Sequence, residues 1–204
     1  NVIGGYSGNF PVHPDMQDSR AIGSDTWIST DGGLSYTSDF FGDLKNYKCL
    51  MNGVNGSDFW GFDGGWNEDL LVGGRYHNGN TAYYEKYPVF MRLGGGESAT
   101  GYVNPIIPRL VYFSDVGAMI LPDSFKGSFI NKAISKYPNE SYFTLWYSSI
   151  VWDPRCYNTM WLGNKNSLWK SSDGGGSFSR MWTTSDTDIL VQHIEISRAN
   201  PNTI

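Results

Sequence analysis

Positive charge, cysteine and long apolar runs are all scarce in this chain of 204 residues. Lysine and arginine number 15 against 20 acids, a formal net charge of −5 with no basic cluster, which argues against a nucleic-acid partner on electrostatic grounds. No stretch approaches the ~18 consecutive apolar residues that a bilayer-crossing helix needs, so no transmembrane segment is expected. The two cysteines, Cys49 and Cys156, lie far apart and form no CxxC or Cys/His spacing, so metal or redox work is not indicated. They leave two readings open: one long-range disulfide in an oxidising compartment, or, preferred, two buried free thiols on strands. There is neither an initiator methionine nor a signal sequence ahead of Asn1-Val2-Ile3, and the chain is expected to be incomplete at both ends.

What the chain has in quantity is glycine and aromatic residues: Gly 25, Trp 8, Tyr 13, with aromatics at 16%. Strand formers and turn formers together point to an all-β architecture. The exception is Ser124 to Tyr137, where Phe125, Phe129, Ile130 and Ile134 carry a mild helical spacing, ended by Tyr137-Pro138; it reads as an insertion between strands.

Two segments share one pattern. Ser29-Thr30-Asp31-Gly32-Gly33-Leu34-Ser35-Tyr36 and Ser171-Ser172-Asp173-Gly174-Gly175-Gly176-Ser177-Phe178 each place Asp-Gly-Gly between serines and end on an aromatic. A tryptophan-bearing apolar run precedes each, so the unit reads strand, turn, strand. Asp31 and Asp173 can accept from nearby backbone N–H groups, Gly33 and Gly175 supply positive φ, and Tyr36 and Phe178 are expected to pack between neighbouring sheets. The aspartates are 142 residues apart (173 − 31), about three steps of a ~40–50-residue repeat.

The segments resemble Asp boxes, also called BNR repeats, of sialidase, sortilin and xyloglucanase-type β-propellers. The resemblance implies four-stranded antiparallel blades with the box folding the hairpin between the outer two strands. Residues 1–204 are then about four blades of a larger, six- to eight-bladed propeller, closed by the rest of the same polypeptide. Sialidases also carry an Arg-Ile-Pro motif; Ile107-Pro108-Arg109 has those residues in another order, so Arg109 is not carried over. The middle of the chain also resembles secreted or surface propellers of Bacteroidetes-type bacteria, which implies an extracellular or cell-surface location.

From Ser57 to Gly101 polar, aromatic and glycine residues alternate densely. Trp60, Trp66 and Tyr76 offer flat apolar faces; Arg75, His77 and Asn78 offer hydrogen bonds, a mixture that suits a glycan or protein ligand at a propeller's channel face. The same residues also suit blade packing, and His77-Asn78-Gly79-Asn80 suits a tight hairpin turn. The expected function is a glycan- or protein-binding module, with a glycoside hydrolase as the alternative. A hydrolase needs two converging carboxylates; Glu97, Glu68, Asp69 and Asp115 are the candidates, with Glu140 another isolated acid. No cofactor is expected apart from calcium, for which the oxygen-bearing residues of Asn52 to Asp58 have alternate spacing but no terminal glutamate.

Overall fold

Side chains alternate across a strand, so a strand whose successive residues are all apolar must be covered on both faces. Leu110-Val111-Tyr112-Phe113 is such a run, and all four are buried. The computed structural model describes residues 12–54, 56, 59–75, 78–95, 101–113, 117–128, 130–131 and 150–204. Its strands form four antiparallel sheets of four strands each, three of them in one unit, residues 58–204, and one in another, residues 1–57.

In the first unit the strands are β1 (Met16–Ile22), β2 (Asp25–Thr30), β3 (Gly33–Thr37) and β4 (Lys48–Cys49), paired in that order. Ile28 of β2 packs with Val12 and Phe41, and Tyr47 closes that small core. Between β3 and β4 the backbone turns through left-handed conformations at Phe40 and Phe41. Asp39 holds this turn by accepting from the amides of Gly42 and Asp43, and the bond from the Thr37 hydroxyl foremost, then these two, holds its carboxyl below the usual range.

The second unit contains β5 (Gly61–Gly64), β6 (Leu70–Arg75), β7 (Gly79–Tyr84) and β8 (Met91–Gly94) in one sheet. Next come β9 (Gly101–Val103), β10 (Leu110–Phe113), β11 (Gly117–Ile120) and β12 (Ile130–Asn131), then β13 (Val151–Asp153), β14 (Cys156–Asn164), β15 (Ser167–Ser171) and β16 (Ser179–Thr183). The middle sheet is sandwiched. Val111 and Phe113 face Leu70, Val72, Ala82 and Tyr84 of the sheet before it, while Leu110 and Tyr112 face Ile150 and Met160 of the sheet after it. The first strands of two successive sheets are bonded directly, since the Val103 amide of β9 donates to Asp63 of β5 at 2.9 Å. Face-to-face stacking of four-stranded antiparallel blades, first strands together, is the β-propeller arrangement. The sequence repeat is real: second strands begin at Asp25, Leu70, Leu110 and Cys156, spaced 45, 40 and 46 residues apart (70 − 25, 110 − 70, 156 − 110).

The two Asp-Gly-Gly turns are not equivalent in their sheets. The one at Asp173 joins β15 to β16, the third and fourth strands, whereas the one at Asp31 joins β2 to β3, the second and third strands among the described residues. They lie in the first and fourth sheets in chain order, three steps apart as their spacing implied, although a turn motif specifies a reversal of the chain and not its rank in the sheet. Asp173 works as the sequence implied: it accepts from the Ser177 amide at 2.9 Å and from the hydroxyls of Ser171 and Ser177, bonds that hold its carboxyl below the usual range, with that from Ser171 foremost. Gly174 and Gly175 take positive φ there, and Phe178 packs onto the cluster between the last two sheets. At the first turn Asp31 accepts from the Gln17 side chain, Gly33 again has positive φ, and Ser29 bonds to the Asp18 carbonyl. Within its own sheet Tyr36 lies against Trp27, its cross-strand partner, at 5.2 Å.

Two other expectations are corrected. Cys49 and Cys156 are free thiols on strands, but both are exposed, each at a strand terminus where the sheet gives no cover. The described part of Ser124 to Tyr137 is not helical: Ser124 to Gly127 is a turn, and Ile130–Asn131 pairs with the otherwise open edge of β11. Strand pairing outweighs a weak helical periodicity. The described part of the calcium-like segment is a turn closed by Val54 N–H to Met51 O at 3.0 Å; Asn55, Ser57 and Asp58 lie outside the described residues. Among the described residues no helix is long and apolar enough to cross a membrane.

The outer face of the last sheet carries the C-terminal segment, with Ile194 and Ile196 packed on Trp161 and the Val191 amide bonded to Lys165 O at 2.7 Å. Gly163 permits that approach: a Cβ there would lie 2.6 Å from Val191 Cγ1 and 2.7 Å from Val191 O. We expect Gly163→Ala to cost about 1–2 kcal/mol through overpacking. Hydrogen exchange at the Val191 amide should accelerate while exchange in β10 stays slow; unchanged protection at Val191 would contradict the close contact.

Candidate functional site

The loop joining the first to the second strand of a blade is set by what its ends demand. In the β5–β6 loop, Gly65 N–H bonds to Leu70 O at 2.8 Å and Leu70 N–H to Glu68 O at 2.8 Å, which tightens the turn and pushes Trp66 outward. Trp66 is 65% exposed. Its ring meets the edge of Tyr157, at the start of β14, with centroids 5.1 Å apart and planes at 72°. Such a pair is a favoured aromatic geometry.

The β9–β10 loop, Asn104 to Arg109, lies beside it. Asn104 locks this loop from within: its Oδ1 accepts from the amides of Ile106 and Ile107 at 2.9 and 2.8 Å, and its Nδ2 donates to Tyr112 Oη at 2.9 Å. Burial, opposed by the bond from Asn104, pushes the Tyr112 hydroxyl up to about 12, so it stays neutral beneath the loop. Between the loops is a cleft of about 50 Å³ lined by Trp66, Asn67, Glu68 and the run Pro105 to Pro108, with Ile106 more than half exposed at its mouth.

Glu68 has a structural task here. Its Oε1 accepts from the Arg109 amide, at a residue whose backbone is left-handed, so the carboxylate ties one loop to the other. The Arg109 guanidinium turns away, donating to Asp123 at 2.7 Å and to Leu121 O at 3.0 Å. Asp123 is shared with Lys86, and that bond foremost holds its carboxyl below the usual range. Asp69 is exposed, and its backbone carbonyl accepts from Glu85. Glu97, Asp115 and Glu140 lie outside the described residues.

The residues singled out from the sequence do not gather at one place. Trp66 sits at the β5–β6 end of its sheet, while Arg75 and Asn78 sit at the β6–β7 hairpin, the opposite end, together with Trp60, whose amide bonds to Gly74 O at 3.1 Å. Arg75 donates to the carbonyls of Asn78 and Gly79, and burial followed by the charge of Arg92 holds it below its ordinary value. It serves the β6–β7 hairpin, in which Gly79 pairs with Arg75 as a strand residue, so Asn78-Gly79 is not the two-residue turn that the sequence suggested. Tyr76 and His77 lie outside the described residues. The sequence reading missed Tyr157 and the Pro105-Ile106-Ile107-Pro108 loop, whose signal was available: an apolar pair between prolines in a turn is exposed unless something covers it.

Comparison of the sequence with protein-family models and with curated proteins finds no match. Among solved structures, the chain is similar to YCF48 bound to D1 peptide, with 14% identity and a TM-score of 0.42 over 94% of this chain and 62% of that one. It is similar to PorZ, an essential bacterial surface component of the type-IX secretion system of human oral-microbiomic Porphyromonas gingivalis, with 11% identity and a TM-score of 0.34 over 83% of this chain and 21% of that one. The chain spans less than two thirds of the length of either.

Proposed function

We propose that this chain is a non-catalytic ligand-binding part of an extracellular or cell-surface β-propeller, and that it takes a glycan or protein partner on the loops joining first and second strands in residues 58–204. The observation that carries the reading is the exposed Trp66 indole, braced by Tyr157 and set on loops immobilised by Asn104 and Glu68. A rigid aromatic presented without enclosure is how binding surfaces concentrate affinity in few residues. The cleft, about 50 Å³, is far below the ~300–1,000 Å³ of sites that engulf a small molecule, so it fits a ligand whose bulk stays outside.

A hydrolase of the Asp-box propeller type needs two converging carboxylates, and Glu68 is the one acid that lines this cleft among the described residues. The Asp173 turn supports kinship with Asp-box propellers, a relation of architecture that assigns no activity. Glycan and peptide arrays probed with the chain and with Trp66→Ala test the reading, with mass spectrometry of retained glycans for cleavage. We expect ligands that the variant retains at least about tenfold more weakly, and no cleavage products. Blank arrays, or equal retention by the variant, would overturn it.

A further inference from the structure

The chemistry lining the cleft selects among ligands. A sugar ring needs several open hydrogen-bonding partners, and here Asn104 has spent its amide on Ile106, Ile107 and Tyr112. What remains is an exposed indole, the single exposed amide of Asn67, and the negative charge of Glu68, which has no ion-pair partner among the described residues. The nearest base in sequence to that loop contact, Arg109, is committed to Asp123 and Leu121. The lining thus holds one acid and no base. Its volume, about 50 Å³, holds about four water-sized groups, the size of a guanidinium or a hydrated ammonium.

We propose that the cleft is a subsite for a basic side chain, arginine or lysine, of an extended peptide, its cation stacked on Trp66 and its charge balanced by Glu68. The proposal rests on the reading above that the loop face binds ligand. A cation over an indole is the most favourable of the cation–aromatic pairs, and a partly buried carboxylate beside it adds an attraction that solvent screens incompletely. Pro105 and Pro108 fix the far wall, so no loop must be ordered on binding.

The test is fluorescence polarisation with a fluorescein-labelled dodecapeptide carrying three arginines among glycine and serine, against the matched peptide carrying three glutamates. Glu68→Gln keeps an oxygen for the Arg109 amide while removing the charge, and near-ultraviolet circular dichroism checks that its fold is intact. Asp188→Asn, exposed beside the β14–β15 end of the last sheet and so at the end opposite Tyr157, controls for net charge alone. We expect the arginine peptide to bind at least about tenfold more tightly than the glutamate peptide, and to weaken about five- to tenfold in Glu68→Gln and more in Trp66→Ala. Asp188→Asn should bind as the parent does. Equal binding of the two peptides, or an unchanged Glu68→Gln, overturns the subsite. If glycans bind in a Trp66-dependent manner while the arginine peptide does not, the subsite falls and the loop-face reading stands. If no ligand depends on Trp66, both fall.

Discussion

Replacing Phe113 with alanine should cost about 3–5 kcal/mol and lower the melting midpoint by roughly 10 °C. Phe113 is 0% exposed and lies in the cluster shared by two stacked sheets, among Leu70, Val72, Val103 and Met119. Its ring also covers Gly101, where a Cβ would lie within 2.8 Å of two ring carbons. Removing the ring leaves a void between two backbones that are each held by their own ladders, so neither sheet can collapse to fill it. The loss is a large part of the ~5–15 kcal/mol that holds a domain folded. Trp182→Ala on β16, where the side chain is half exposed, removes a similar ring and should change stability far less. Urea melts of both variants decide the point: a Phe113→Ala cost below about 1 kcal/mol would contradict the stacking of these two sheets.

The part of this architecture that sequence makes legible is the part encoded locally. The Asp173 turn is readable because Ser171, Asp173 and Ser177 satisfy one another within a few residues. The near-regular repeat and the all-β class follow from turn and strand composition in the same way. Rank within a sheet is not local, which is why the Asp31 turn looks the same as its counterpart and occupies another position among the described strands. The candidate site is still less legible. Trp66 meets Tyr157 because β14 stands two blades further along, and Glu68 is occupied by an amide 41 residues later. Arg75 and Trp66 are close in sequence, yet a strand of six residues separates their ends of the sheet. Residue type singles out aromatics such as Trp66, but only the stacking of blades decides which aromatics share a surface.

Arginine 155 is the second place where one substitution should have a large effect, and there the effect should depend on pH. Asp153, 4% exposed, accepts from Arg155 Nη2 at 2.7 Å, from its Nε at 3.0 Å and from its backbone amide at 2.9 Å. The Arg155 side-chain bonds foremost hold the Asp153 carboxyl down to about 2. The same guanidinium reaches the C-terminal segment, donating to Asn202 Oδ1 at 2.8 Å and to Pro201 O at 3.1 Å. Because Arg155 is itself half exposed, solvent screens the pair, and Arg155→Ala should cost about 2–3 kcal/mol near pH 7, mainly from a buried carboxylate left without its cation. The folded-state value lies below that of the unfolded chain, about 3.9, so the pair's contribution is complete above that pH and is lost as pH falls through about 2. In Arg155→Ala burial without the cation raises the Asp153 carboxyl, so acid relieves the variant while it weakens the parent. The difference between the two proteins should therefore shrink from about 2–3 kcal/mol near pH 7 toward about 1 kcal/mol near pH 2.5, leaving the docking bonds to Pro201 and Asn202 as the remainder. Denaturant melts at the two pH values measure it, and a difference that holds constant or grows in acid would show that the Asp153 charge is not what Arg155 stabilises.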